Sequence, residues 1–204
     1  MARSQKPADR VFLNIPYDDK FESLFLAFIS GICAFGFVPR ATLEIATSSR
    51  RLDRILDLIR ECRYSIHDLS RVQLDDTAPR TPRFNMPFEL GLSVAHEKST
   101  PGKNHQWFVC ESEKFRLPKS LSDLNGTDAF IHDGTIAGLF RELCSMFRRP
   151  GRQPTVQQMW QIYRKLRKVL PSVLAQAGSE SLFTARVFGD VCAMAADFAN
   201  KIVS

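Results

Sequence analysis

A glutamate within an apolar segment is the residue of this chain best suited to catalysis. Glu89 lies in the window R-F-N-M-P-F-E-L-G-L-S-V-A-H at residues 83–96, which begins as a loop and continues as a predicted helix. An acidic residue in a first turn gains from the helix dipole, so Glu89 could serve only the helix. A carboxylate on a rigid element can equally project into a pocket, and the residues upstream decide between the two interpretations.

The helix around Glu89 is predicted from prolines, a capping residue and apolar spacing. Pro87 fits the first turn, where its missing N–H has no partner in any case. Asn85 is a candidate N-cap. Phe88, Leu92 and Ala95 recur near helical spacing, which predicts that they form the apolar face. The pattern places the end of the helix near residue 97.

Further polar residues follow the apolar segments that precede this helix. Three such segments are predicted strands, and the residues that follow them are Asp18 and Asp19, then Glu44, then Asp68, Ser70 and Arg71. His67 lies inside the third strand, where a lone histidine is more often a core residue than a base. Arg51, Arg71 and Arg83 are candidates for phosphate contacts, because a guanidinium fork matches phosphate oxygens. Arg50, Arg51 and Arg54 could equally form a solvated helix face.

Strands and helices alternate about five times before residue 148. The predicted strands cover residues 11–15, 37–43, 64–69, 106–110 and 128–132. The predicted helices cover residues 20–35, 50–62, the window around Glu89, 117–124 and 135–147. Gly36 is the expected end of the first helix, Ser48 and Ser49 the expected cap of the second, and Pro39 favours an edge position for the second strand.

This alternation predicts an α/β domain at residues 10–148, a five-stranded parallel sheet flanked by helices. Ligands bind such sheets at the carboxyl ends of the strands. We therefore expect the polar residues after strands one to three, together with Asn85 and Glu89, to converge on one edge. Neither a G-x-G-x-x-G fingerprint nor a Walker loop is present, so those modes of phosphate binding are not indicated.

Two more predicted helices, at residues 155–174 and 181–203, follow the linker-like stretch R-P-G-R-Q-P. Two helices alone bury little core, so we expect the segment 155–204 to pack on the first domain or on a second copy of the chain. Basic residues cluster near these helices and could attract nucleic acid, although a solvated face is the favoured interpretation. They are Arg141, Arg148, Arg149, Arg152, Arg164, Lys165, Arg167 and Lys168.

Composition is ordinary for a globular protein: 204 residues, 44% hydrophobic, 25% charged and a net charge of +6. No apolar run approaches the roughly 18 residues of a membrane span, and the N-terminus lacks the apolar region of a secretory signal. Five cysteines, widely spaced, suggest reduced thiols in a cytoplasmic protein, and their spacing predicts no metal site.

The ordered set of motifs resembles two known families. The motifs are V-F-L-N-I-P with an acidic turn, S-S-R-R-L-D-R-I, Y-S-I-H-D-L-S-R and N-M-P-F-E-L-G-L-S-V-A. This order is similar to that of bacterial TIR-like proteins and of nucleoside 2-deoxyribosyltransferase-like proteins, and it covers about residues 10–148. Both families have a flavodoxin-like sheet, cleave N-glycosidic bonds and carry a glutamate at the head of the corresponding helix.

The resemblance implies that Glu89 is the catalytic carboxylate of a hydrolase or cyclase, an NAD(+) nucleosidase, which takes NAD as substrate rather than cofactor. It further implies a role in bacterial defence or signalling. Asp68 would hold ribose hydroxyls or orient the base, or else cap the following loop. One of Asp18 and Asp19 is expected only to stabilise the turn after the first strand. Asn85 would contact the substrate or cap its helix.

Two other functions stay open at the level of sequence. One is a TIR-like module that senses a nucleotide or self-associates without turnover, and we expect a homo-oligomer in either case. The other is a deoxyribosyltransferase, although R-F-N-M-P stands where those enzymes usually carry a D-x-G-T element. Binding to nucleic acid is the least favoured function, and no membrane role is expected.

Overall fold

Five parallel strands form a single sheet in the order β2-β1-β3-β4-β5. The structure is a computed structural model that describes residues 10–44, 50–73, 78, 80–100 and 105–203. The strands are β1 (Arg10–Asn14), β2 (Val38–Ala41), β3 (Tyr64–Asp68), β4 (Gln106–Glu111) and β5 (Phe130–Ile131). The predicted α/β class and parallel sheet are confirmed, and this strand order is the flavodoxin-like one.

Helices connect the strands and follow the last one. They are α1 (Glu22–Ala34), α2 (Arg51–Glu61), α3 (Asn85–Ser99), α4 (Arg116–Ser120), α5 (Ile136–Met146), α6 (Val156–Ala177) and α7 (Ala185–Ile202). Short 3₁₀ turns span Asp19–Phe21, Thr42–Glu44 and Ser122–Leu124. The cap expected at Ser48 and Ser49 lies outside the described residues.

Two predictions from glycine and proline are confirmed. Gly36 has φ +73°, its N–H donates to the Cys33 carbonyl, and the Phe37 N–H donates to the Ile32 carbonyl. That pair of bonds is a Schellman motif, which ends α1. Pro39 lies in β2, an edge strand. Proline is tolerated in an edge strand because the side that lacks an N–H can face away from the sheet.

Helix α1 lies at the centre of the largest core. Every residue from Leu24 to Ala34 is buried. The sheet covers one side of α1, and α5, α6 and α7 cover the others. Helices α6 and α7 thus pack on α1 of the same chain, with Met159, Ile162 and Val187 fully buried in the shared core.

Several basic residues of the last third serve the fold. Arg149 donates to the Phe35 carbonyl at 2.9 Å, and Arg152 donates to the Ala34 carbonyl at 2.9 Å. These carbonyls end α1, where the helix dipole favours a cation. Arg167 pairs with Glu22 at 2.9 Å. In the part of the chain that the structure describes, no helix is long and apolar enough to cross a bilayer.

Candidate functional site

A polar cavity of about 190 Å³ opens at the carboxyl ends of β1 and β2. It lies beside the point between β1 and β3 where the strand order reverses, which is where flavodoxin-like sheets bind ligands. The first loop, the turn after β2 and the heads of α2 and α3 enclose it. The residues that line it are Asn14, Ile15, Pro16, Tyr17, Thr42, Arg51, Arg83, Asn85, Met86 and Glu89.

Glu89 is the only carboxylic acid among these lining residues. Its side chain is 3% exposed, and burial raises its pKa to about 7, an effect that the nearby positive charge of Arg51 partly offsets. No described residue forms a hydrogen bond or an ion pair with its carboxyl group. The site therefore holds a largely buried carboxyl group that lines the cavity and has no bonded partner among the described residues.

Helix α3 presents a different face to the core from the one its apolar residues predict. Met86, Glu89, Leu90 and Ser93 are buried, whereas Phe88 is 56% exposed. The prediction that Phe88, Leu92 and Ala95 form the buried apolar face is wrong for two of the three residues. Leu92 packs on the cluster beside α2, but Phe88 and Ala95 are exposed. Contacts of Met86 and Leu90 with β4 and α4 set the rotation of the helix.

The start of α3 also differs from the prediction. Phe84 occupies the N-cap position and Asn85 is the first helical residue, with no side-chain capping bond. Asn85 is instead exposed at the cavity wall. Because the helix begins at Asn85, Glu89 lies beyond the first turn, where the dipole interpretation no longer explains it.

Tyr17 and Thr42 form one wall of the cavity. The Tyr17 hydroxyl lies 3.1 Å from the Thr42 hydroxyl and 3.4 Å from the Leu13 carbonyl, to which it donates. Burial raises the pKa of Tyr17 and the negative charge of Glu89 raises it further, while the bond to Thr42 and the charge of Arg51 lower it. Tyr17 is therefore a neutral hydroxyl at physiological pH.

Asn14, the last residue of β1, lines the cavity, and its amide nitrogen is bonded within the fold. Its Nδ2 lies 2.9 Å from the Met86 carbonyl and 2.9 Å from His67 Nδ1. A carbonyl can only accept, so the amide nitrogen must point this way and donate both of its hydrogens. The remaining group, Oδ1, is an acceptor available to a ligand that donates a hydrogen bond.

A buried chain of hydrogen bonds holds Asn14 in this orientation. His67 Nδ1 accepts from Asn14, so His67 Nε2 donates to Ser65 Oγ at 3.0 Å. Ser65 then donates to His105 Nε2 at 3.1 Å, and His105 Nδ1 donates to the Cys62 carbonyl at 2.9 Å. Burial lowers the pKa of His67 to about 3 and also lowers that of His105. Both histidines stay neutral, which supports the prediction that His67 is a core residue.

Asp18, Arg71 and Arg83 come together as an ion-pair cluster at the mouth of the cavity. Asp18 Oδ2 accepts from Arg71 Nε at 2.9 Å and from Arg83 Nη1 at 3.1 Å. This cluster ties the loop after β1 to the loop after β3 and to the head of α3. Of the three residues, Arg83 lines the cavity, and among the described residues Asp18 is the one acceptor of its side chain.

Asp68 and Ser70 form a separate buried cluster that does not line the cavity. Asp68 Oδ1 accepts from the Ser70 N–H at 2.9 Å and from its hydroxyl at 2.5 Å. His132 Nε2 donates to Asp68 Oδ2 at 3.0 Å, since its Nδ1 accepts from the Gly134 N–H. This is the capping role that the sequence left open for Asp68.

The other acidic candidates lie away from the cavity. Asp19 is exposed in its 3₁₀ turn, which fits the expectation that one of the two adjacent aspartates only stabilises the turn. Glu44 binds Arg40 Nε at 2.9 Å and the Ala41 N–H at 2.8 Å.

Arg51 does line the cavity, and within the described residues no carboxylate forms an ion pair with it.

Comparisons of the chain with protein-family models, curated proteins and solved structures gave no match. The geometry of the site must therefore carry the functional argument. In the described part of the chain, no group of three or more histidine, cysteine or acidic side chains could hold a metal ion.

Three polar lining residues, Asn14, Tyr17 and Thr42, were not predicted from the sequence as site residues. The signal for Asn14 was present: it is the one polar residue in the run V-F-L-N-I, immediately before Pro16. Buried polar side chains at the end of a parallel strand are unusual unless they are bonded or functional. Tyr17 and Thr42 carried no comparable signal, because aromatic and hydroxyl residues are common at such turns.

Proposed function

We propose that this protein is an NAD(+) nucleosidase or cyclase, which cleaves the N-glycosidic bond between nicotinamide and ribose. The observation that carries the proposal is the single buried carboxyl group of Glu89, without a bonded partner among the described residues, in the cavity at the switch point of the sheet. The motif resemblance to TIR-like enzymes points to the same residue.

The carboxyl group of Glu89, unpaired among the described residues, makes its part of the cavity suitable for a positive charge. Burial raises the pKa of Glu89 to about 7 because the ionised form lacks solvation. A positive charge that enters the cavity supplies the missing stabilisation. The nicotinamide ring of NAD is positively charged, and its departure leaves an oxocarbenium-like ribosyl group, so the ionised Glu89 stabilises both the bound substrate and the transition state.

The number of carboxyl groups favours NAD over an ordinary nucleoside. Glycosidases with a poor leaving group use two carboxyl groups, one of which protonates that group. Among the described residues, Glu89 is the only acid that lines the cavity, Asp18 is paired with Arg71, and Asp68 is bonded to Ser70. Nicotinamide needs no proton to leave, because the bonding electrons neutralise its ring. One carboxylate is therefore sufficient for NAD.

The other lining groups match the remaining parts of the substrate. Asn14 Oδ1 accepts a hydrogen bond from a ribose hydroxyl, and Thr42 lies on the same wall. Arg51 and Arg83 bind the diphosphate at the mouth. The cavity is smaller than the roughly 300–1,000 Å³ of pockets that enclose a whole ligand. The nicotinamide riboside part enters it, and the adenylate part stays outside.

The cellular setting follows from the resemblance and from the cysteines. The five cysteines are free, which accords with a reducing compartment such as the cytoplasm. A role in bacterial defence or signalling accords with the likeness to TIR-like proteins. Nucleic acid is not expected as a partner, and three residues of the basic cluster, Arg149, Arg152 and Arg167, form bonds within the fold.

The test is the release of nicotinamide from NAD by concentrated protein, measured by chromatography, in the wild type and in Glu89→Gln. We expect nicotinamide together with ADP-ribose or a cyclic isomer from the wild type, and a loss of at least about 100-fold in Glu89→Gln. Glu97→Gln is the matched control: it lies on the same helix, keeps an acceptor for Trp107 and should retain full activity.

Three outcomes would reject the proposal. Equal activity in Glu89→Gln would exclude the residue as the catalytic carboxylate. Stoichiometric binding of NAD without product would favour the nucleotide-sensing module. Exchange of bases between two deoxynucleosides, with no action on NAD, would favour the deoxyribosyltransferase.

A further inference from the structure

The outward side of α3 is apolar although it faces solvent. Phe84 is 68% exposed and Phe88 is 56% exposed, and Gly91 and Ala95 on the same side are also exposed. These four residues, the α3 stripe, recur at spacings of four, three and four. At 3.6 residues per turn they lie in one line along the helix. The stripe is opposite the buried face formed by Met86, Glu89, Leu90 and Ser93.

The α3 stripe also lacks charge. Between residues 84 and 95 the sequence contains one charged residue, Glu89, and its side chain is buried. A solvent-exposed helix normally carries charged residues on its outer face. Three uncharged turns that display two phenylalanine rings are instead typical of an interaction surface.

Gly91 has no packing role among the described residues. A Cβ built on it meets nothing within 4 Å, so the fold of the described chain does not require a glycine there. Glycine in a helix costs about 1 kcal/mol relative to alanine. The glycine at position 91 therefore leaves room for a close approach from outside the chain, on the same side of α3 as the two exposed phenylalanines.

We propose that the α3 stripe is the interface of a homodimer, in which α3 packs antiparallel on α3 of a second copy. The stripe is complementary to itself under a two-fold axis that passes between Glu89 and Leu90. That axis places the ring of Phe88 over the partner's Gly91, and the ring of Phe84 over the partner's Ala95. Each contact between a large and a small residue occurs twice, once on either side of the axis, as an isologous interface requires.

Charge also favours the antiparallel pair. Each positive N-terminal end of α3 lies beside the negative C-terminal end of its partner. No charged side chain becomes buried between residues 84 and 95, because Glu89 faces inward. Binding of an unrelated protein would explain an apolar face. It would not explain why two large residues are followed by two small ones in an order that is complementary to itself.

This surface is distinct from the catalytic group, although both lie on α3. Glu89 projects from the buried side and the stripe from the outer side. Dimerisation would restrain the head of the helix, where Asn85 lines the cavity. The proposal does not depend on the reaction, since the assembly can be measured without substrate.

The test is the mass in solution, by light scattering over a range of concentrations, of the wild type, Gly91→Leu and Gly189→Leu. Gly91→Leu has open space in the single chain and should unfold no more easily than the wild type, yet it fills the place of the partner's Phe88 and should yield a monomer. Gly189→Leu is the matched control, an exposed helical glycine on α7 with equal space around it, and should remain dimeric.

A swap variant tests the pairing itself. Phe88→Gly alone should weaken the dimer, and the combination Phe88→Gly with Gly91→Phe should restore it, because large and small residues merely exchange places. A wild type that is monomeric at every concentration would overturn the proposal. A dimer that persists in Gly91→Leu, or one that the swap does not restore, would also overturn it.

Discussion

At the scale of the residue, Glu89 opposes the stability of the fold. Its pKa of about 7 exceeds the ordinary value of 4.5 because the carboxylate is buried. Such a difference corresponds to about 3 kcal/mol that the ionised form costs the folded protein. An unfavourable group of this kind is retained where its charge is needed, as in many catalytic sites.

The first prediction concerns stability and pH in Glu89→Gln. A pKa raised on folding means that the folded state binds more protons than the unfolded state between pH 4.5 and about 7. Stability therefore falls as pH rises through that range, and Gln removes the penalty. We expect Glu89→Gln to be more stable than the wild type by about 1–3 kcal/mol at about pH 8, with no difference at about pH 4.

Urea unfolding at both pH values measures this difference. Glu97→Gln is the control, since Glu97 is a partly exposed residue on the same helix. Equal stability of Glu89→Gln and the wild type at the higher pH would show that Glu89 is better solvated than its burial implies.

Some site residues can be predicted from the sequence and others cannot, for physical reasons. Asn85 and Glu89 were predicted from their position at the head of a helix, and Arg51 and Arg83 as possible phosphate contacts. The cavity contains all four. Asp68 and Ser70 satisfied the same rule, but His132 lies 64 positions away and its bond to Asp68 could not be foreseen. Position along a strand predicts the edge of the sheet, not the partner of a side chain.

At the scale of the element, the rotation of α3 was the feature hardest to predict. The helix carries apolar residues on both its inner and outer sides, so periodicity alone does not identify the buried side. The core side is the one with Met86, Leu90 and Glu89. If the α3 stripe is an interface, the misleading apolar residues are those that bind the second copy.

Close approach between α5 and His132, the residue that follows β5, gives a prediction at this scale. A Cβ on Gly138 would overlap the carbonyl oxygen of His132, a backbone atom that cannot rotate away. His132 also holds Asp68 through its ring. We expect Gly138→Ala to lose about 1–3 kcal/mol of stability, measured by urea unfolding.

The control for that prediction is Gly189→Ala in α7, where nothing lies within 4 Å of a Cβ. It should gain about 0.5–1 kcal/mol from helix propensity. A stable Gly138→Ala would mean that β5 and α5 can separate without cost.

At the scale of the whole molecule, the sheet was predictable and the packing of the last helices was not. Alternating apolar strands and amphipathic helices determine a parallel sheet, and connection rules limit its order. The pattern at residues 155–203 indicated helices with apolar faces but not the surface that they cover. That surface is α1, which is apolar on all sides and buries every residue from Leu24 to Ala34.

Removal of residues 155–204 should therefore prevent folding. The truncated chain would expose the side of α1 that now contacts Met159, Ile162, Val187 and Phe188. We expect aggregated or unfolded protein, measured by circular dichroism and by solubility after expression. A soluble, cooperatively folded fragment would show that the sheet domain is independent of the last two helices.

The most direct measurement of the central claim is the pH dependence of nicotinamide release from NAD by the wild type, at substrate concentrations well below KM. This condition reports the free enzyme. If the ionised Glu89 drives cleavage, kcat/KM should rise about tenfold per pH unit at acidic pH and level off above pH about 7. A rate that falls above that pH would assign the protonated carboxyl as an acid, and the absence of release at any pH would contradict the account.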